Sequence, residues 1–231
     1  MIYKIIPLTL LFLMPFTPNK ASEVDIILLD NKIDLVEELT IERIYNSLNV
    51  GDFTLPQLTS FEKAVQGFYE MKTRGEIQKN ILTIIDFSLS SSNRRLWVID
   101  MDSNTVLYQS LVSHGRNTGE EYAEEFSNEM NSNKSSLGFY LTGETYLGKN
   151  GFSLRLDGLE IGVNDKARNR GIVVHGADYV SEDYIKENGR LGRSQGCPAI
   201  PMELRDKIID VIKEKTCLFI YYPAYQSKLY S

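Results

Sequence analysis

The sequence predicts a mainly β fold, a sandwich or partial barrel with a small helical N-terminal segment and one C-terminal helix. Many short apolar runs are separated by glycine-rich or polar turns, which is the pattern of a domain built from short strands. The chain has 13 Tyr and 10 Phe, and aromatic residues favour strands. With 231 residues, of which 42% are apolar, it is long enough to bury a substantial core.

Residues 1–21 predict an export signal. Lys4 precedes an apolar stretch from Ile5 to Phe16, which is shorter than the roughly 20 residues that a membrane-spanning helix needs. A charged start, a short apolar run and a small residue at Ala21 are typical of a secretory signal. We therefore expect cleavage after Ala21, a periplasmic or cell-envelope location and no stable membrane insertion afterwards. The alternative, an uncleaved membrane anchor, also places the body of the protein outside the cytoplasm.

Residues 22–78 are predicted to form the helical N-terminal segment. Apolar residues recur at helical spacing over residues 33–48. A second helix is predicted from Ser60, a candidate N-cap, to Lys72. Gly75 follows the last apolar position and is expected to end this helix.

Residues 79–224 form the predicted β domain, and residues 225–231 a tail. A helix is expected to start at Pro201, which suits the first turn. Residues 115–135 are predicted to form a long loop that covers or edges a site, and residues 176–196 a second irregular stretch. The predicted strands cover residues 81–87, 96–101, 105–112, 137–141, 152–156, 172–175 and 217–222.

The overall charge limits the partners of this protein. The formal net charge is −6, so the chain has no broad electrostatic attraction to nucleic acid. We expect no nucleic-acid partner and a monomeric protein. No sequence pattern requires a cofactor.

One histidine and one cysteine lie in contexts that favour nucleophilic catalysis. His175 ends an apolar run and is followed by Gly176, and Cys197 is preceded by Gly196. A thiol needs a nearby imidazole to become a nucleophile near neutral pH. A glycine before the nucleophile allows a tight turn, in which the N–H groups of Gly196 and Cys197 can face a developing oxyanion.

These residues resemble the active-site signature of the L,D-transpeptidase (YkuD-type) catalytic domain. That signature is a His-Gly at a strand end followed by Ser-x-Gly-Cys, here His175-Gly176 and Ser194-Gln195-Gly196-Cys197. Upstream, Ser135-Ser136-Leu137-Gly138-Phe139 is similar to the Thr-Pro-x-Gly-x-Phe strand of the family. The match is to the branch with the sequence GRSQGCPAIP, and the resemblance runs from about residue 61 to 223.

The resemblance implies the family's fold, its substrate and a role for each site residue. Cys197 would attack the L-centre carbonyl of the third residue of a peptidoglycan stem peptide and expel the terminal D-residue. His175 would take the thiol proton and later return one, while the Gly176 carbonyl orients its ring. The resulting thioester would be resolved by an amine, as in an L,D-transpeptidase, or by water, as in an L,D-carboxypeptidase.

The chain departs from the common family pattern on both sides of the cysteine. Gln195 stands where the family usually has His. The basic residue that usually follows the cysteine in the family is absent, since Pro198 and Ala199 stand there. Arg193 is the first candidate to replace that residue in substrate binding, and Arg190 the second. Ser194 is assigned to the same binding region and to hydrogen bonds beside the nucleophile.

Alternatives to this assignment remain at the second cysteine and the second histidine. Cys197 and Cys217 are a possible disulfide in an exported protein, but Cys217 lies in an apolar strand and is expected to be a buried free thiol. Cys197, beside His175, is then expected to have a depressed pKa. His114 either lines the cleft or is an ordinary histidine at the start of a loop.

Two other classes of function are weighed against the cysteine enzyme. A zinc-dependent cell-wall peptidase would draw on His114, His175 and a carboxylate, but the chain has no closely spaced His pair of the kind that binds zinc. We therefore expect no metal site. A non-catalytic cell-wall-binding protein of the same fold is the other alternative, although binding alone does not need Gly196-Cys197 beside a histidine.

Overall fold

The computed structural model describes residues 39–229. The predicted export signal, its cleavage site and the start of the first predicted helix lie outside these residues. Residues from Thr40 onward belong to one compact unit. No helix within residues 39–229 is both long and apolar enough to cross a bilayer.

Eight strands form one mixed sheet that curls into a nearly closed barrel. In spatial order the strands are β3-β2-β1-β8-β4-β5-β6-β7. Ser113, just after β3, donates its N–H to the carbonyl oxygen of Ala199 in β7 at 2.8 Å, which joins the two ends of the sheet. The strands are β1 (Ile81–Asp86), β2 (Leu96–Asp100), β3 (Thr105–Ser110), β4 (Gly138–Gly148), β5 (Gly151–Gly158), β6 (Val173–Gly176), β7 (Ala199–Ile200) and β8 (Cys217–Tyr221).

Each face of the sheet has its own core. Alternate residues of a strand point to opposite faces, so Phe219 joins one core while Leu218 and Ile220 join the other. Helix α2 packs on the first face and α4 on the second. The helices are α1 (described over residues 39–46), α2 (Leu58–Thr73), α3 (Glu182–Asn188) and α4 (Met202–Ile212).

The fold class predicted from the sequence is confirmed, and two short elements were missed. Helix α3 lies in the stretch 176–196, which was predicted to be irregular. It has no buried residue, and depends on the Ser181 hydroxyl, which accepts from the N–H of Tyr184, and on the left-handed Gly189 that ends it. Apolar periodicity cannot detect such a helix. Strand β7 has only two residues, too few to show a period.

The predicted N-cap of α2 is wrong. The cap residue is Gln57, and Ser60 lies inside the helix, where it is buried. Its hydroxyl donates to the carbonyl oxygen of Gln57 at 2.9 Å. The helix thus begins about one turn before the position that Ser60 would cap.

The predicted tail packs against the domain through a buried carboxylate. Glu160 is fully buried and accepts hydrogen bonds from the Tyr225 hydroxyl at 2.6 and 2.7 Å and from the N–H of Lys228 at 2.7 Å. It also accepts from the N–H of Phe139 at 2.6 Å. The C-terminal residues are therefore attached to the start of β4, the strand that begins with Gly138-Phe139.

Candidate active site

His175 and Cys197 meet at the end of the barrel where β6 and β7 are paired. His175 lies within β6 and Cys197 two residues before β7. The parallel register places His175 opposite Ala199, which brings the loop that carries Cys197 to the side of the imidazole. Both residues line one cleft of about 530 Å³. The structure thus brings together the two residues that the sequence assigned to the chemistry.

The imidazole of His175 is fixed by its own neighbour. Its Nδ1 lies 2.9 Å from the carbonyl oxygen of Gly176. A carbonyl only accepts hydrogen bonds, so Nδ1 carries the proton and Nε2 of the neutral ring is left as the base. Burial lowers the pKa of His175, against the effect of the Gly176 hydrogen bond, and the charge of Lys149 lowers it further. The ring is therefore neutral at pH 7.

The thiol of Cys197 is held in its protonated form, which corrects the depressed pKa expected from the sequence. Burial raises its pKa, although a backbone N–H and the charges of Arg170 and Lys149 act in the opposite direction. The sulfur faces the Gly171 carbonyl oxygen at 3.7 Å. Because removing the thiolate from water outweighs these interactions, the thiol of Cys197 is neutral at pH 7, as is the imidazole of His175.

Ser194 shapes the turn that contains Cys197. Its hydroxyl donates to the carbonyl oxygen of Cys197 at 2.6 Å and accepts from the N–H of Gly196 at 3.0 Å. Its own N–H donates to the His114 carbonyl oxygen at 3.0 Å. Gly196 has φ +119°, and a Cβ there would lie 2.8 Å from the Lys134 carbonyl oxygen. Only glycine fits this position without strain.

The two arginines proposed to replace the family's basic residue occupy different places. Arg193 lines the cleft, but its Nη1 donates to the Glu120 carboxylate at 2.7 Å and to the carbonyl oxygens of Arg116 and Gly119. Arg190 also pairs with Glu120, at 2.8 Å, and is not among the residues that line the cleft. Of the two, only Arg193 lines the cleft that contains Cys197, and its charge is already paired with that of Glu120.

Two cationic side chains that were not predicted from the sequence, those of Lys149 and Arg170, also line the cleft. Lys149 lies in the turn between β4 and β5, and Arg170 lies three residues before β6. Arg170 is only five residues before His175, so its position near a candidate catalytic residue was a usable signal. Lys149 is 26 residues from His175, and only the pairing of β5 with β6 brings its hairpin to the site.

Arg170 also holds the long loop that edges the cleft. Its Nη1 donates to the Ser127 carbonyl oxygen at 2.7 Å and to the Ser136 hydroxyl at 3.0 Å. Its Nη2 donates to the Lys134 carbonyl oxygen at 2.6 Å. Residues 115–135 are irregular, as predicted. Their side chains in the cleft wall are those of Met130, Asn131 and Asn133.

His114 lies outside the cleft, in a buried network. Its Nδ1 is 2.8 Å from Nη2 of Arg95, and its Nε2 is 3.3 Å from the Gly119 carbonyl oxygen. Arginine only donates, so Nδ1 accepts and the ring is neutral. Burial and the charge of Arg95 lower its pKa to about 4. Across residues 39–229, no group of three or more His, Cys, Asp or Glu side chains is arranged to hold a metal ion.

The two cysteines are separate free thiols. Cys217 is fully buried in β8 and belongs to the core under α2, whereas Cys197 contacts the core on the opposite face of the sheet. Burial raises the pKa of Cys217 strongly. The barrel wall therefore separates the two sulfur atoms.

Comparison with known proteins identifies the family. A family model of the L,D-transpeptidase catalytic domain matches residues 55–221. The chain belongs to this family of L,D-transpeptidase domains. The match includes α2 and the strands from β1 to β8, so the helix that covers the first core is part of the matched region. No curated relative matches the chain.

Solved structures similar to the chain include L,D-transpeptidases and one cell-shape protein. An L,D-transpeptidase from Mycobacterium smegmatis is 12% identical with a TM-score of 0.39, over 62% of this chain and 59% of that one. One from Stackebrandtia nassauensis is 14% identical with a TM-score of 0.37, over 71% and 68%. The helical cell shape determining protein Pgp2 from Campylobacter jejuni is 16% identical with a TM-score of 0.41, over 66% and 51%. The chain thus spans about three fifths of the first of these structures.

Proposed function

We propose that this protein is a cysteine acyltransferase that acts on the tetrapeptide stems of peptidoglycan, as an L,D-transpeptidase or L,D-carboxypeptidase, through a thioester on Cys197. Its place of action would be the periplasm or cell envelope, where that substrate lies. The observation that carries the proposal is that Cys197 and an oriented, neutral His175 line one open cleft of a domain of this family.

The first half of the reaction starts from a neutral thiol on Cys197 and a neutral imidazole on His175. When a stem peptide binds, the thiol turns from the Gly171 carbonyl toward Nε2 of His175 and gives up its proton. Sγ attacks the carbonyl carbon at the L-centre of the third stem residue. Catalytic hydrogen bonds of this kind often form only in the complex. Since the thiol pKa is raised, proton transfer accompanies the attack rather than preceding it.

The oxyanion is stabilised by a backbone N–H beside the sulfur, and the leaving group is protonated by His175. The N–H of Gly196 is bonded to Ser194, so the N–H of Cys197 is the principal donor to the developing oxyanion. The tetrahedral adduct then collapses: the C–N bond breaks, and His175 protonates the departing amine of the terminal D-residue. An amine or a water molecule, deprotonated by His175, finally attacks the thioester and frees Cys197.

Purified protein and muropeptide tetrapeptides test this assignment. Mass spectrometry should show products in which the donor has lost its terminal D-residue. Hydrolysis gives a tripeptide stem, and transfer to an amine gives a cross-linked dimer. A transient adduct on Cys197, with the mass of the donor minus its terminal residue, should appear on rapid quenching. Stable binding of the tetrapeptide without any product would instead indicate a non-catalytic cell-wall-binding protein.

A further inference from the structure

The charge of the cleft differs from that of the rest of the protein. The chain has 31 Asp and Glu residues against 25 Lys and Arg. Within the described part of the chain, the cleft wall contains Lys149, Arg170 and Arg193 and no acidic residue. A cleft lined by cations concentrates anionic ligands. The cleft is therefore suited to a ligand that carries carboxylates close to the nucleophile.

The three cations are not equally able to bind such a ligand. Arg193 is paired with Glu120 at 2.7 Å. Arg170 uses both its terminal nitrogens to hold the neighbouring loop. Lys149 is exposed at the turn between β4 and β5, and no carboxylate of residues 39–229 lies within ion-pair distance of its ammonium group. Lys149 is the cation whose charge is still free for a substrate.

Strand pairing places Lys149 on the side of the cleft next to His175. β5 pairs with β6 so that Ser153 lies opposite His175, and the turn with Lys149 directly precedes β5. Consistent with this position, the charge of Lys149 lowers the pKa of both His175 and Cys197, whereas Arg170 acts on Cys197. Lys149 thus lies toward the group that must protonate the leaving amine.

The chemistry of the leaving group supplies a matching anion. In an α-amino acid, one carbon separates the amine from the carboxylate. When His175 protonates the amine of the terminal D-residue, that carboxylate must lie beside the imidazole. A lysine on a flexible stem can reach it with a charge-assisted hydrogen bond.

We propose that Lys149 binds the carboxylate of the leaving D-residue and so makes the enzyme selective for donor stems that end in a free carboxylate. This inference rests on the proposed function. It assigns a specificity role to the β4–β5 turn, which lies outside the Ser194–Cys197 motif.

Two matched donors and three variants test the inference. The donors are a tetrapeptide with a free C-terminal carboxylate and the same peptide as its C-terminal amide. The variants are Lys149→Gln, Lys149→Arg and, as a control, Lys207→Gln, which removes an exposed lysine of α4 outside the cleft. We expect the wild type to prefer the free acid by about tenfold in kcat/KM, as a charged hydrogen bond would provide.

The variants should separate recognition from chemistry. Lys149→Gln should lose the preference mainly through a higher KM for the free acid, with little change for the amide. Lys149→Arg should keep most of it, and Lys207→Gln should match the wild type. Equal turnover of both donors by the wild type, or an unchanged preference in Lys149→Gln, would overturn the inference and leave the proposed function standing. If the wild type releases the terminal residue from neither donor, the proposed function fails and the inference fails with it.

Discussion

The two histidines and two cysteines of this protein divide evenly between two regions. His175 and Cys197 lie in the cleft at the β6–β7 end of the barrel. His114 is enclosed with Arg95, and Cys217 is enclosed in the core under α2. Both imidazoles are neutral and both thiols have raised pKa values. Ionisation therefore does not distinguish the two residues that line the cleft from the two that are enclosed elsewhere.

The difference between the regions is one of hydrogen bonding and access. Both ring nitrogens of His114 have partners within the protein. His175 has its hydrogen bond at Nδ1, to Gly176, and its side chain belongs to a residue that lines the cleft. Cys197 borders the same cleft, whereas Cys217 is fully buried. A side chain can act on a substrate only if its reacting atom is accessible to that substrate. Replacing each histidine and each cysteine in turn tests whether the two regions differ in this way.

The largest expected effect comes from replacing each cysteine by alanine. Cys197→Ala should lower tetrapeptide turnover by roughly 10⁴-fold or more, since no other group can form the acyl intermediate. Cys217→Ala should keep turnover and lose about 1 kcal/mol of stability through the cavity it leaves. Product formation by mass spectrometry and thermal melting measure the two effects. A Cys197→Ala protein with more than about a tenth of wild-type turnover would contradict the assignment of the nucleophile.

The two histidines should respond in opposite ways to replacement by glutamine. His175→Gln should lower kcat by roughly a hundredfold or more, since the general base is lost, with a near-normal melting temperature. His114→Gln should cost about 1–3 kcal/mol of stability, because Arg95 loses a buried acceptor, with a smaller effect on kcat. Comparable loss of kcat in both variants would show that the distinction between the two regions is wrong.

The same pair predicts how activity and stability depend on pH. The pKa of His175 is lowered, so the acid limb of kcat/KM should lie below pH 6.5, the ordinary value for histidine. His114 has a folded-state pKa of about 4. The unfolded chain therefore binds a proton that the native state does not, and stability should be lost as the pH falls from 6.5 towards 4. In His114→Gln this loss should be smaller, which acid unfolding monitored by circular dichroism can check.

The smallest expected effect is a difference between the two thiols in their rate of alkylation. Iodoacetamide should add one group, on Cys197, while Cys217 reacts only after unfolding. Because burial raises the pKa of Cys197, the rate should be low at pH 7 and rise through the alkaline range, since the thiolate is the reactive form. Peptide mapping over a pH series measures this. Labelling first at Cys217, or fast labelling of Cys197 that is independent of pH above neutrality, would be inconsistent with the structure.

The local sequence was sufficient to predict most strands, helices α2 and α4, and the importance of the turn that contains Cys197. Apolar periodicity and turn residues act over a few positions, so the strand from Leu96 and the helix after Pro201 were predicted within one or two residues. The Ser194–Cys197 segment and the His175-Gly176 pair were recognisable because they resemble a family signature. Their hydrogen bonds in the structure are local, each closing within three residues.

Only the tertiary structure decided which distant residues share the cleft and what their pKa values are. Lys149 reaches the site through the pairing of β5 with β6, and α3 is set by its caps rather than by a buried face. The thiol pKa depended on desolvation, which exceeds the influence of the nearby charges. Desolvation is a sum over everything that surrounds a group in space, and no stretch of sequence around Cys197 contains that information.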